Sequence, residues 1–159
     1  MSTLRQAAPP GTIGMQHAVS VEQVYAADPA SVPLARALVT SAVRDWGLAA
    51  LWDDAALVVT ELAANAVGQS VSGEIVVRVS WTVLYVVVEV GDRNPAGPPR
   101  PPREVAGTAE HGRGLLIWQT LSARRGWYRQ GEWKVVWAAL RKPAARQQAA
   151  SRSQLRRAA

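Results

Sequence analysis

Glu61 and Asn65 lie four residues apart in a segment with helical periodicity, and both could take part in phosphate chemistry. Residues at positions i and i+4 of a helix lie about 40° apart on its surface. A glutamate there can orient or deprotonate an attacking hydroxyl group, and an asparagine oxygen can ligate Mg²⁺ beside phosphates. The alternative is an ordinary solvent-facing helix surface, on which both residue types are common.

Two further positions could contact a ligand. Asp92 ends an apolar run and could accept a hydrogen bond from a ligand amine, although Asp92-Arg93-Asn94-Pro95 could equally be a simple turn. Farther along the chain, a proline-rich segment meets a predicted helix at Gly112, Arg113 and Gly114. Glycines allow close backbone approach, a helix N-terminus offers N–H groups, and arginine adds positive charge, so this segment could hold phosphate. The same glycines could serve only to begin the helix.

The elements that must position these residues follow from the spacing of the apolar side chains. Five strands are predicted, over residues 17–24, 75–79, 83–90, 124–129 and 133–140. Three helices are predicted: from Asp28-Pro29 to near Gly47, from Asp53 or Asp54 with the apolar stripe Ala55, Val59, Leu62 and Ala66, and over 114–121. This order predicts an α+β fold, a two-layer α/β sandwich with helices on one face of a mixed, mostly antiparallel sheet. The proline- and glycine-rich residues 93–112 form a loop of a length that often serves as a lid.

Composition limits the classes of function. Of the 159 residues, 48% are hydrophobic and 19% charged, so the chain can form a core, and the absence of cysteine excludes disulfide scaffolds and thiolate metal sites. The longest charge-free apolar run, residues 79–88, is too short to span a bilayer, and the first 20 residues lack the apolar core of a signal peptide. We therefore expect a cytoplasmic protein with no membrane association.

The net charge of +6 is not spread evenly along the chain. Six of the 18 basic residues lie in 141–159, which contains no acid, so the other 12 basic residues balance the 12 acidic ones. We predict a flexible leader over 1–19, a domain over 20–140 and a basic, mobile tail over 141–159. Nucleic-acid binding would rest on this tail alone, and no direct nucleic-acid partner is expected.

Taken together and in this order, several motifs resemble those of the GHKL ATPase superfamily, which includes the ATP-binding domains of gyrase, heat-shock chaperones and histidine kinases. The branch they resemble is that of the bacterial anti-sigma factor serine/threonine kinases, in the actinobacterial type. The matching segments are 58–67 (VVTELAANAV) for the N box, 88–92 (VEVGD) for the strand entering the first glycine box, 112–115 (GRGL) for the second glycine box, and 131–140 (GEWKVVWAAL) for the closing strand.

The resemblance implies a Bergerat-type ATP site between the helices and the long loop, with that loop as the ATP lid. It implies that Glu61 is the general base or orienting acid, that Asn65 holds Mg²⁺, and that Asp92 accepts from the adenine amine. It also implies phosphate contacts from Gly112, Arg113 and Gly114, and Lys134 matches a basic position of the closing strand.

Two features depart from the family pattern. The first glycine box has the form Asp-x-Gly-x-Gly in the family, whereas neither expected glycine follows Asp92 here. Gln69 occupies the position at which many relatives carry histidine. These departures leave nucleotide binding as the expectation but weaken the case for fast phosphoryl transfer.

The resemblance implies two functions of different classes. The first is an ATP-binding anti-sigma regulatory factor that sequesters a sigma factor and phosphorylates a STAS-type anti-anti-sigma partner, with ATP and Mg²⁺ as cofactors. The alternative is a non-catalytic protein-interaction module that keeps the ATPase fold as a docking surface. Relatives are often dimers, so the resemblance also suggests a homodimer.

Overall fold

The computed structural model of the chain describes residues 19–96 and 120–143. The elements in this part of the chain are β1 (Val19–Ala26), α1 (Ser31–Asp45), a short 3₁₀ helix (Ala49–Leu51), α2 (Trp52–Gln69), β2 (Glu74–Trp81), β3 (Tyr85–Asp92), β4 (Arg124–Gln130) and β5 (Trp133–Arg141). The five predicted strands and the first two predicted helices are confirmed, with ends that differ by at most three residues. The predicted third helix lies outside the described residues except at Thr120 and Leu121, which are helical.

The five strands form one sheet in the order β1-β2-β3-β5-β4. Every described strand pair is antiparallel, so the expectation of a mixed sheet is corrected. The reason is that β5 lies between β3 and β4. β4 runs in the same direction as β3, but among the described strands it pairs only with β5, at the edge of the sheet.

Both helices pack on one face of this sheet, which gives the predicted two layers. The predicted apolar stripe of α2 is buried throughout, with no member more than 5% exposed. It packs in a core with the alternate residues of β2, β3 and β5 that face the helices: Ile75, Val77, Val79, Val86, Val88, Val90, Val136, Ala138 and Leu140. The burial of this stripe fixes which flank of α2 carries Glu61 and Asn65.

The ends of α1 follow from local chemistry. Asp28 forms a turn that leads into the helix, in which its Oδ1 accepts a 2.7 Å hydrogen bond from the Ala30 amide, so the helix begins at Ser31 rather than at Pro29. The predicted end near Gly47 is confirmed. Gly47 has a φ of 71°, and the Leu48 amide donates back to the Val43 carbonyl at 3.0 Å, as in a Schellman motif.

The described strands also include residues that the sequence assigned to the leader and the tail. Val19 begins β1 and Arg141 ends β5, while the Lys142 ammonium group donates to the Thr82 carbonyl at 3.2 Å. Residues 1–18 of the predicted leader and 144–159 of the predicted tail lie outside the described residues. Neither α1 nor α2 has the length and apolar character needed to cross a membrane.

Candidate functional site

The predicted site residues Asn65, near the C-terminal end of α2, and Asp92, at the end of β3, lie at the same end of the sheet. Asp92 is the last residue of β3, and its partner across the strand pair is Lys134, the second residue of β5. Gln69, the last residue of α2, accepts a hydrogen bond from Lys134, so the end of the helix lies over this pair. The fold therefore brings together a helix end, a strand end and a strand start.

Asp92 and Lys134 form a buried ion pair. The Lys134 Nζ lies 3.3 Å from the Asp92 Oδ1, and the two side chains are 1% and 3% exposed. The same oxygen accepts a 3.0 Å hydrogen bond from the Asn94 amide. Burial raises the pKa of Asp92, and the attraction of Lys134 offsets this only in part. The carboxylate thus depends on Lys134 for its charge to be tolerated away from water.

Gln69 connects this ion pair to Asn65. Its Oε1 accepts a 2.9 Å hydrogen bond from the Lys134 ammonium, and its Nε2 donates to the Asn65 Oδ1 at 2.6 Å. An ammonium group can only donate, so Gln69 must present its oxygen to Lys134 and its nitrogen to Asn65. Lys134 of β5 therefore determines, through Gln69, the orientation of the Asn65 amide.

The residues that replace the first glycine box have structural partners of their own. The Asn94 side chain donates to the Gln69 carbonyl at 2.8 Å, which satisfies a backbone acceptor at the end of α2. The Arg129 guanidinium donates to the carbonyls of Asn94, Pro95 and Ala96 at 2.9 to 3.1 Å. These contacts fix the conformation of the backbone after Asp92, at positions where the family pattern has glycines.

Of the other predicted site residues, the structure describes Glu61 but not those of the second glycine box. Glu61 is half-buried one turn before Asn65 on the same flank of α2. Gly112, Arg113 and Gly114 lie outside the described residues, so their phosphate contacts stay predictions. The resemblance matches Lys134 only to a basic position of the closing strand, and the structure adds its ion pair with Asp92.

Asn65 can contribute one oxygen to a magnesium ion. A carbonyl oxygen has two lone pairs, and Gln69 uses one of them. Residues 19–96 and 120–143 contain no cluster of three or more acidic, histidine or cysteine side chains that could hold a metal by themselves. The remaining ligands would have to be phosphate oxygens and water, which is the way Mg²⁺ is held beside nucleotides.

Sequence reasoning did not identify Gln69, Asn94 and Arg129 as members of this network. Gln69 could have been found, because it lies one further helical turn from Asn65 on the same flank of α2. The strand pattern also indicated that Lys134 belongs to this network. Lys134 occupies a helix-facing position of a strand whose later helix-facing positions are apolar. No local pattern indicated that Arg129 would bind three successive carbonyls.

The sequence profile of the histidine kinase-like ATPase domain matches residues 25–140, from the end of β1 to the end of β5. A search of curated proteins found no significant match to the chain. The matched region includes Glu61, Asn65, Asp92 and Lys134, and it covers well over half of the chain. The chain therefore belongs to the family of histidine kinase-like ATPase domains of the GHKL superfamily, and ATP binding follows from this membership.

Proposed function

We propose that this protein is an anti-sigma regulatory factor of the bacterial cytoplasm. It binds ATP with Mg²⁺, phosphorylates a serine or threonine of a STAS-type anti-anti-sigma partner, and sequesters a sigma factor. The observation that carries the proposal is the continuous chain of polar contacts from Asn65 through Gln69 and Lys134 to Asp92. It links the predicted magnesium ligand to the predicted adenine acceptor across the helix and the sheet.

Each end of this chain has a defined task in nucleotide binding. Asp92 accepts from the adenine amine, and Lys134 supports the ionised carboxylate that this requires. Asn65 offers its oxygen to the magnesium ion, with its amide oriented by Gln69. Gly112, Arg113 and Gly114 would supply the phosphate contacts. Bound Mg²⁺ supplies charge neutralisation on the phosphates, and the protein supplies position.

Glu61 acts on the protein substrate. Its carboxylate orients the serine or threonine hydroxyl of the partner and accepts its proton while the new O–P bond forms to the γ-phosphorus. The bond from that phosphorus to the β,γ-bridging oxygen breaks, and ADP leaves. Positioning and charge neutralisation supply most of the rate enhancement in this chemistry.

Calorimetric titration of ATP with Mg²⁺ tests the site. We expect micromolar binding to the parent protein, loss of Mg²⁺-dependent binding in Asn65→Ala, and unchanged binding in the exposed turn variant Glu132→Ala. Asn65 is half-buried and accepts from Gln69, so circular dichroism and thermal unfolding must show that Asn65→Ala is folded. Equal Mg²⁺-dependent affinity in the parent and Asn65→Ala would remove Asn65 from the site.

Phosphoryl transfer is tested separately with ATP radiolabelled at the γ-phosphate and a STAS-domain protein from the same organism. Glu61→Ala should bind ATP normally but label the partner at least about a hundredfold more slowly, the range that loss of a general base produces. Transfer by Glu61→Ala at the parental rate would show that Glu61 has no such role.

A second function is favoured by one observation at the same site. Asp92 Oδ1 is already engaged by Lys134 and by the Asn94 amide, and the glycines that normally follow this residue are missing. A non-catalytic interaction module would tolerate this arrangement. If millimolar ATP produces no heat while a sigma factor or STAS protein still binds, the second function replaces the first.

A further inference from the structure

The face of the sheet opposite α1 and α2 carries a pocket of about 280 Å³ that the proposed nucleotide chemistry does not use. The three charged residues of its lining form a row across β1, β2 and β3: Glu22 is paired with Arg78, and Arg78 with Glu89. Tyr128 reaches this row from β4. Its hydroxyl group donates to the Glu89 Oε1 at 2.7 Å.

The charges in this row do not balance. The Arg78 guanidinium is committed to Glu22, to which its Nε donates at 2.6 Å and its Nη2 lies at 2.5 Å. Its Nη1 lies 3.7 Å from the Glu89 Oε2, which is an ionic contact but too long for a hydrogen bond. Two carboxylates thus share one guanidinium, and the row has a net charge of −1.

The excess negative charge is concentrated at Glu89. Its side chain is 3% exposed, and its Oε2 has no hydrogen-bond donor among the described residues. A buried carboxylate oxygen without a donor is costly, because water no longer solvates it. A ligand that brought a donor and a positive charge to this oxygen would therefore gain more than it would at an exposed acid.

The neighbours of Glu89 cannot easily rearrange to neutralise it. Burial and the adjacent Glu89 charge raise the pKa of Tyr128, so its hydroxyl group stays protonated and remains a donor to Oε1. Burial alone would lower the pKa of Arg78, but the hydrogen bond to Glu22 and the attraction of Glu89 outweigh it, and the pKa is raised. Arg78 therefore stays charged and bound to Glu22.

The walls of the pocket suit the carbon part of a ligand. Val24, Val76, Val135 and the ring of Trp133 line it, and Gly91 contributes no side chain to its floor. The Trp133 ring already contacts one guanidinium group, that of Arg93, at 4.6 Å from the ring centroid. An aromatic ring and aliphatic side chains around a carboxylate are the surroundings that an arginine-like group requires.

We propose that this pocket binds an organic monocation with a guanidinium or ammonium head group, which donates to the Glu89 Oε2 and packs its carbon chain against Trp133 and Val135. The cation is either a free small molecule or a basic side chain presented by a partner protein. The pocket lies on the opposite face of the sheet from Asn65 and Asp92. The proposal is therefore independent of nucleotide binding.

The test uses N-acetyl-arginine amide as the cation and the uncharged, nearly isosteric N-acetyl-citrulline amide as its control. Backbone amide resonances of the pocket strands, around Arg78, Glu89 and Tyr128, should shift with the arginine compound and not with the citrulline compound. Glu89→Gln should weaken binding about tenfold or more, since it removes a charged acceptor. Glu74→Gln, a half-exposed glutamate of the same face that pairs with Arg93 outside the pocket, should leave binding unchanged.

Glu22→Gln keeps the test decisive if Glu89→Gln does not fold, because Glu22 is 44% exposed. The change leaves Arg78 free to neutralise Glu89 and should also weaken binding about tenfold. Absence of shifts at millimolar arginine compound, equal binding of the citrulline compound, or parental affinity in Glu22→Gln would each overturn the proposal. A second titration compares butylguanidinium with an arginine side chain presented by a peptide or a folded protein. Tighter binding of the presented arginine assigns the cation to a partner protein, and equal binding assigns it to a small molecule.

The ATP titration run in parallel separates this proposal from the proposed function. Glu89→Gln and Glu22→Gln should bind ATP as the parent does. Loss of ATP binding in Asn65→Ala should leave the arginine titration unchanged.

Discussion

Asp92 and Lys134 form the buried ion pair of the proposed nucleotide site. Each is charged, each is almost completely buried, and the two lie opposite one another on neighbouring strands. Such a pair contributes little net stability compared with apolar residues, but removing one member leaves an uncompensated buried charge. A pair of this kind fits the proposed role of Asp92, which is to present an acceptor at the end of β3.

The titration of Asp92 gives a prediction about stability. Because its pKa is raised in the folded protein, the native state binds more protons than the unfolded state between the unfolded pKa and the folded one. The free energy of unfolding should therefore fall as pH rises from about 4, the ordinary value for aspartate, through the raised pKa of Asp92, and then level off. Urea denaturation at a series of pH values measures this fall.

A variant comparison assigns that pH dependence to Asp92. Asp92→Asn removes the ionisable group and should flatten this part of the profile, whereas the exposed Asp53→Asn should keep it. If the profile of Asp92→Asn still falls as that of the parent does, another group is responsible.

The ion pair itself can be tested by a double-mutant cycle. Lys134→Met leaves Asp92 buried without a cation and should lower the free energy of unfolding by about 3–5 kcal/mol. Lys134→Met combined with Asp92→Leu should cost much less, because apolar side chains fill the same space. A double variant that is less stable than Lys134→Met would contradict this account of the pair.

At the scale of the element, two exposed glycines should respond oppositely to the same substitution. Gly131 begins the turn between β4 and β5 with a φ of 58°, whereas Gly68 lies in the last turn of α2, and an added Cβ would touch nothing at either position. Gly131→Ala should cost about 1 kcal/mol through backbone strain, and Gly68→Ala should stabilise by about 0.5–1 kcal/mol through helix propensity. Thermal unfolding of the two variants checks the signs. Destabilisation of equal size in both would mean that packing, not backbone conformation, decides.

The elements were predictable because their signals are local. The stripe from Ala55 to Ala66 repeats with the helical period, and the alternation in Ile75, Val77 and Val79 has the period of a strand. The order of strands in the sheet was not predictable in the same way. The placement of β5 between β3 and β4 depends on contacts between residues far apart in the chain.

The same distinction applies to the site. Residue type and the resemblance select Asn65 and Asp92 as candidates, and the structure places them at one end of the sheet. Their connection through Gln69 and Lys134 could not be identified, because it requires the register of β5 against β3. Asn94 was seen only as a departure from a glycine box, and its contact with the end of α2 appears only in three dimensions.

At the scale of the whole molecule, charge is segregated along the chain. The basic residues that exceed the acidic ones lie after position 140, while Lys142 is still tied to the sheet. Retention on immobilised DNA at low salt, if present, should therefore disappear on deletion of 144–159 and should fall steeply as salt is raised. ATP titration of the deletion variant should match that of the parent. Salt-resistant retention by the deleted protein would place a nucleic-acid surface on the domain itself.

The buried lysine of β5 also bears on how the sheet selects one pairing over another during folding. From Val135 to Leu140 the strand is apolar on both faces, so hydrophobic burial alone scarcely distinguishes the native alignment from one displaced by a single residue. Such a displacement would turn Lys134 to the opposite face and leave Asp92 buried alone. Lys134 therefore specifies the register of β5 in the sheet. A protein with an apolar pair in its place could keep its stability and yet lose the uniqueness of its sheet.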